Sequence, residues 1–179
     1  MFAAFSDAER VELTLYSDAL VTHGRVRTRQ HRITDILNLA EAPFLVLEDV
    51  TVREFGPGAK SFQAAYAQVN LESVLFAVAF DPVRAVPELR TPKAQQQAIV
   101  SVPPFNVVGT IHLMITEDNI REALTMLTGR FVPVTDAQFW SDTMNEPRTD
   151  ALLVAVNHRR AQILAPFEGA DAWGTRSEA

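Results

Sequence analysis

Apolar and polar residues alternate over short stretches of the chain, and the stretches recur in one order twice. Val11, Leu13 and Leu15 alternate with Glu12 and Thr14, the two-residue period of a half-buried strand. Ser17-Asp18 supplies turn chemistry. Residues 20–26 then read as a returning strand, with Gly24 where a bulge or a close backbone approach is expected. Ile33, Ile36 and Leu37 stand at i, i+3 and i+4 and predict a helix of about three turns, ended by Pro43. Strands follow over residues 44–52 and 74–80, with a short closing strand near Ala85-Val86. Phe55-Gly56-Pro57-Gly58 is a strong turn signal, and residues 61–67 are compatible with one more strand.

The second half repeats this order. Val100 and Val102 lead into Pro103-Pro104, which ends that strand, and residues 105–113 return with Gly109 in the matching place. Ile120, Ala123, Leu124 and Leu127 mark one helical face. Thr116 is its expected N-cap, Glu117 and Asp118 complement the helix dipole, and Gly129 is its expected C′ residue. Strands follow over residues 131–139, 152–156 and 162–164, with Pro133 marking an edge or a bulge. Gly24 aligns with Gly109 and Val26 with Ile111. After a short insertion, Ile33, Leu37, Phe44, Leu47 and Asp49 align at one constant offset with Ile120, Leu124, Phe131, Val134 and Asp136. The run Val74-Leu75-Phe76-Ala77-Val78 matches Leu152-Leu153-Val154-Ala155-Val156.

The pattern predicts a mainly β (α+β) protein built by internal duplication. It has two tandem homologous units, each a small bent sheet or barrel of about five strands with one short helix. The first unit is placed at residues 1–90, the second at 91–170, and a flexible tail at 171–179, with the polar stretch 87–97 as linker. A unit of this size buries little more than about 60% of its unfolded surface, so the two copies are expected to pack on each other.

Composition narrows the functional classes. No apolar run approaches the ~20 residues that cross a bilayer, and the first residues lack a basic signal-peptide region, so a soluble cytoplasmic protein is expected. With no cysteine, disulfides, zinc–thiolate sites and thiol catalysis are excluded. Asp and Glu number 22 against 16 Lys and Arg, a net charge of -6, and both halves are acidic, so neither is a basic nucleic-acid domain. All cations except Lys60 and Lys93 are arginines.

The order strand, turn, strand with glycine, helix, Phe-x-x-Leu/Val-x-Asp strand and apolar strand resembles a small uncharacterised bacterial β-rich domain of unknown function. Val156-Asn157-His158-Arg159 with Ile163 is similar to its closing segment, whereas Ala79-Phe80-Asp81 departs from it. The resemblance implies a fold and no activity. More distantly, five bent strands are similar to Sm-like barrels. Residues 1–9, with Ser6 and Glu9 at capping-box spacing, correspond to the helix that opens that fold, and the helix after the second strand is a departure.

Arg25, Arg27, Arg29 and Arg32, with His31, form the densest basic stretch. On a strand the first three share a face, a row that can grip phosphates, meet an acidic partner or blunt a solvated edge. The matched positions Thr110 and His112 are not cationic. Asp49 and Asp136, the acids kept at matched positions, are expected to order a bend rather than to catalyse. His23, His31, His112 and His158 show no metal-site spacing, and no phosphate-binding or nucleophile motif is present, so no catalytic residue, metal or cofactor is expected. Phe2, Phe5 and Trp173 are aromatic residues in the terminal segments, able to dock on the chain itself or to anchor a partner. The expectation is a non-enzymatic protein-interaction or assembly module, binding another protein or itself. The alternative is an RNA- or nucleotide-binding protein using residues 25–32.

Overall fold

The computed structural model describes residues 8–40, 42–79, 93–114 and 120–168. The chain divides into two compact units, Met1–Ala85 and Val86–Ala179. The first contains β1 (Glu9–Tyr16), β2 (Leu20–Thr28), α1 (Ile33–Asn38), β3 (Phe44–Glu54), β4 (Ser61–Asn70) and β5 (Phe76–Ala79). The second contains β6 (Ala94–Val102), β7 (Phe105–Leu113), α2 (Ile120–Thr125), β8 (Phe131–Ser141), β9 (Glu146–Asn157) and β10 (Ile163–Pro166).

In the first unit the strands run in the order β5-β1-β2-β3-β4, and in the second β10-β6-β7-β8-β9, with antiparallel pairing between neighbours within each. Neither unit is the closed barrel that was one form of the expectation. Closure requires every strand to have two neighbours, but among the described residues β4 pairs with β3 alone and β10 with β6 alone.

Local chemistry explains the turns. Ser17 closes the β1–β2 hairpin: its backbone N–H and its hydroxyl both donate to the Leu20 carbonyl, and Leu20 N–H donates to Ser17 Oγ. Gly56 and Gly58 adopt φ of 90° and 77° between β3 and β4, as the turn signal requires. Pro103-Pro104 forms the two-residue link between Val102 and Phe105, which face each other across β6 and β7.

One irregularity shapes both units. His23 faces Thr51 and Arg25 faces Glu48, so Gly24 stands opposite two residues, Asp49 and Val50. Likewise Val108 faces Gln138 and Thr110 faces Thr135, so Gly109 stands opposite Asp136 and Ala137. Each is a bulge whose extra residue is an aspartate in the left-handed region, with φ of 51° at Asp49 and 47° at Asp136. The bulge resets which side chains point inward. Leu45 and Leu47 are buried before it, Val50 and Val52 after it; Val132 and Val134 precede the second bulge, Ala137 and Phe139 follow it. Strict alternation would turn the later pair in each strand out to solvent. Glycine is needed opposite because the bulged strand comes close. A Cβ on Gly109 would lie 2.7 Å from Val134 Cγ1 and 2.8 Å from the Thr135 carbonyl oxygen; on Gly24 it would lie 3.1 Å from the Glu48 oxygen.

Several expectations change. Both helices are six residues long, shorter than three turns, and α1 ends at Asn38, short of Pro43. Ile33, Ile36 and Leu37 are buried in α1, but in α2 only Ala123 is, and Leu124 is half-buried. Gly129 has a positive φ of 83°, yet it lies beyond the end of α2. Pro133 sits in a central strand, opposite Ala155 of β9 and just before the Asp136 bulge, so its edge reading fails. Gln95, Gln96 and Gln97 belong to β6 rather than to a linker: they pair with His112, Ile111 and Thr110, and their polarity is that of a strand end only partly covered. Glu9 opens β1 and is not helical. Ser6, the strand near Ala85-Val86, residues 87–92, the cap at Thr116 with Glu117 and Asp118, and the tail lie outside the described residues. Among the described residues no helix is long and apolar enough to cross a membrane.

The bulge can be tested by stability. Gly109→Ala is expected to destabilise the protein by about 1–3 kcal/mol, through forced displacement of close-packed atoms, and Gly24→Ala by less. Asp49→Gly should be tolerated, because glycine adopts the left-handed conformation freely. Urea midpoints check this; equal midpoints for both alanine variants and the parent would refute the close approach.

Candidate interaction surface

The arginine row lies on the outer face of the first unit. Arg25 and Arg27 are exposed on β2, with Val26 buried between them. Arg29 lies just past the strand, and Arg32 is the N-cap residue of α1 without a side-chain cap bond. Arg25 reaches two carboxylates: its Nε is 3.4 Å from Glu12 Oε1 and its Nη1 is 3.2 Å from Asp49 Oδ2. Arg27 Nε is 3.7 Å from Glu48 Oε1, and Arg10 Nε is 3.6 Å from Glu48 Oε2. His23 completes the cluster, with Nε2 3.8 Å from Glu12 Oε1 and Nδ1 3.1 Å from Thr14 Oγ1. Exposed pairs of this kind contribute about 0–1 kcal/mol each, but they neutralise the row. Among the described residues Arg29 and Arg32 have no ion pair.

The second unit carries the same cross-strand contacts in neutral form. Counting from Gly24 and Gly109, the pair Glu12–Arg25 corresponds to Gln97–Thr110, each directly opposed across the first hairpin. Gln97 Nε2 donates to Thr110 Oγ1 at 2.7 Å. The pair Arg27–Glu48 corresponds to His112–Thr135, whose Nε2 and Oγ1 are 2.8 Å apart. These positions therefore join neighbouring strands in both units, by charge in one and by neutral hydrogen bonds in the other.

The remaining candidates do not converge. His31 Nδ1 is 3.9 Å from Glu9 Oε2, and His158 Nε2 is 2.7 Å from the Gly129 carbonyl oxygen. Asp49, Val50, Thr51, Gln63, Ala64 and Ala65 line a shallow depression of about 380 Å³ between β3 and β4. Its one carboxylate, Asp49, is held by Arg25. Phe2, Phe5 and Trp173 lie outside the described residues.

Sequence reasoning missed a different surface, the β4 edge. SFQAAYAQVN is ten residues long and holds no charge, proline or glycine. Phe62 and Tyr66 are exposed on it, and Phe44 and Val46 are exposed on neighbouring β3. Its far end is fixed by Asn70, whose Oδ1 accepts Glu72 N–H at 2.9 Å and whose carbonyl accepts the Ser73 hydroxyl at 2.7 Å. The available signal was composition: an uncharged run carrying Phe62, Tyr66 and Val69 between two turn clusters. By contrast β10 has four residues and ends in Pro166, two features that blunt an edge.

No protein-family model, curated protein or solved structure matches the chain.

His112 supplies a pH test. Burial lowers its pKa below the ordinary 6.5, Lys93 lowers it further, and Asp136 opposes both. Below pH 6.5 the unfolded chain therefore takes up a proton that the folded chain resists, and stability falls as pH drops from 6.5 through the folded pKa. His112→Gln should flatten that part of the decline in pH-dependent urea denaturation. An NMR titration placing the His112 midpoint above 6.5 would contradict the assigned direction.

Proposed function

We propose that the chain is a non-enzymatic interaction module made of two copies of one β unit, working through strand edges and outer sheet faces rather than through a pocket. The observation that carries this reading is the β4 edge, ten uncharged residues with one strand neighbour among the described residues. Such an edge is a template for a further strand, because its outward N–H and C=O groups have no ladder partner among the described residues. Duplication is supported by the shared element order, by the Gly–Asp bulge in each unit, and by the matching contacts Glu12–Arg25 with Gln97–Thr110 and Arg27–Glu48 with His112–Thr135.

Recognition of RNA or a nucleotide by Arg25, Arg27, Arg29 and Arg32 is the weaker reading. Two of the four already face carboxylates, and a net charge of -6 repels a polyanion at long range. Purified protein is expected to show no submicromolar RNA binding in about 150 mM salt, and partner proteins captured from native lysate should survive nuclease treatment. Changing Arg25, Arg27 and Arg29 together to Ser should leave that capture intact and lower stability by at most about 1 kcal/mol for each ion pair removed. Salt-sensitive RNA binding lost in the triple variant would replace the interaction reading with the nucleic-acid one.

A further inference from the structure

We infer that β4 pairs with β4 of a second copy of this chain, antiparallel about a two-fold axis at Tyr66. The inference rests on the interaction-module reading and names its partner. Exposure and backbone chemistry make the edge available: among the described residues β4 has β3 as its single neighbour, Phe62 is 60% exposed, Tyr66 68%, and Val46 beside them 56%. No lysine, proline or inward-pointing charge protects the strand, the devices by which exposed edges avoid pairing.

Charge placement selects the second copy and the register. The strand itself is neutral, so no like charges meet when it pairs with itself. Lys60 precedes it and Glu72 follows it, and Tyr66 lies midway between the two. Lys60 and Glu72 are both exposed. In an isologous antiparallel pair the residue on the axis faces its own copy, and residues equally far on either side face each other. An axis at Tyr66 therefore brings the Lys60 end of each copy beside the Glu72 end of the other, giving two opposite-charge contacts. An axis at any other residue of β4 takes them out of register. Tyr66 lies directly opposite Glu48 of β3, on the outer face, so the two tyrosines would meet on that face.

The absence of cysteine from the chain makes the test direct. Tyr66→Cys puts one thiol on the proposed axis, where directly opposed Cβ atoms lie about 4.5–5.5 Å apart, close to disulfide reach. Phe62→Cys puts the two thiols about eight strand positions apart, roughly 27 Å. Sedimentation should give twice the 19.8 kDa chain mass. Under mild oxidation Tyr66→Cys should cross-link as a dimer in native buffer and not in urea, and Phe62→Cys should not cross-link. Tyr66→Lys and Tyr66→Glu should each be monomeric and should dimerise when mixed. A wild-type monomer at every concentration, an assembly larger than a dimer, or equal cross-linking at both positions would overturn the inference. A monomer that still holds a nuclease-resistant protein partner overturns self-pairing and leaves the interaction reading standing; a monomer that binds no protein overturns both.

Discussion

The close approach of one strand to a glycine on its neighbour governs each unit. At Gly24 and Gly109 the adjacent strand contributes two residues against one, and the extra residue is an aspartate in the left-handed conformation. A β-strand presents alternate residues to one face, so a long strand feeds one side of the sheet unless its parity is reset. The bulge performs that reset. Leu45, Leu47, Val50 and Val52 all reach the core of the first unit, and Val132, Val134, Ala137 and Phe139 that of the second. The added twist of a bulge also bends the strand, which lets an eleven-residue element such as β3 wrap a small core.

The same geometry fixes what remains outside. Glu48 and Asp49 emerge at the bulge on the outer face, and the basic residues of β1 and β2 meet them there. The arginine row is thereby part of a cross-strand network, and the second unit fills the corresponding positions with Gln97, Thr110, His112 and Thr135. Exposed ion pairs join the strands in the first unit and part-buried neutral hydrogen bonds do so in the second, each a cross-strand contact of modest strength. Among the described residues, the backbone edge of β4 has one strand neighbour, and that edge is the surface to test.

Much of the fold was legible because its constraints fall on single residues. Gly24, Gly109, Asp49 and Asp136 stood at matched positions, and the bulge explains why these residue types are required there. Gly56 and Gly58 marked their turn by the same logic. Other parts were hidden for physical reasons. β4 is exposed on much of both faces, so it lacks the alternation that reveals a half-buried strand. The glutamines opening β6 read as linker because the buried residues of that strand begin only at Ala98. Helical spacing around Leu124 looked like a core face, yet α2 is too short to bury more than Ala123. The arginines looked free because their partners lie on other strands: Glu12 is 13 positions from Arg25, and Asp49 is 24. A local motif search cannot see a contact set by sheet register.

A β unit whose edge strand β4 has one neighbour among the described residues should reveal its partner in its backbone amides. Hydrogen exchange of the β4 amides that do not bond β3, followed against protein concentration, reads this directly. Exchange in residues 62–70 should slow as concentration rises while the central strands β2 and β7 remain unchanged. Exchange along β4 that is equally fast at all concentrations, or slowing confined to β10, would contradict the edge as the working surface of this chain.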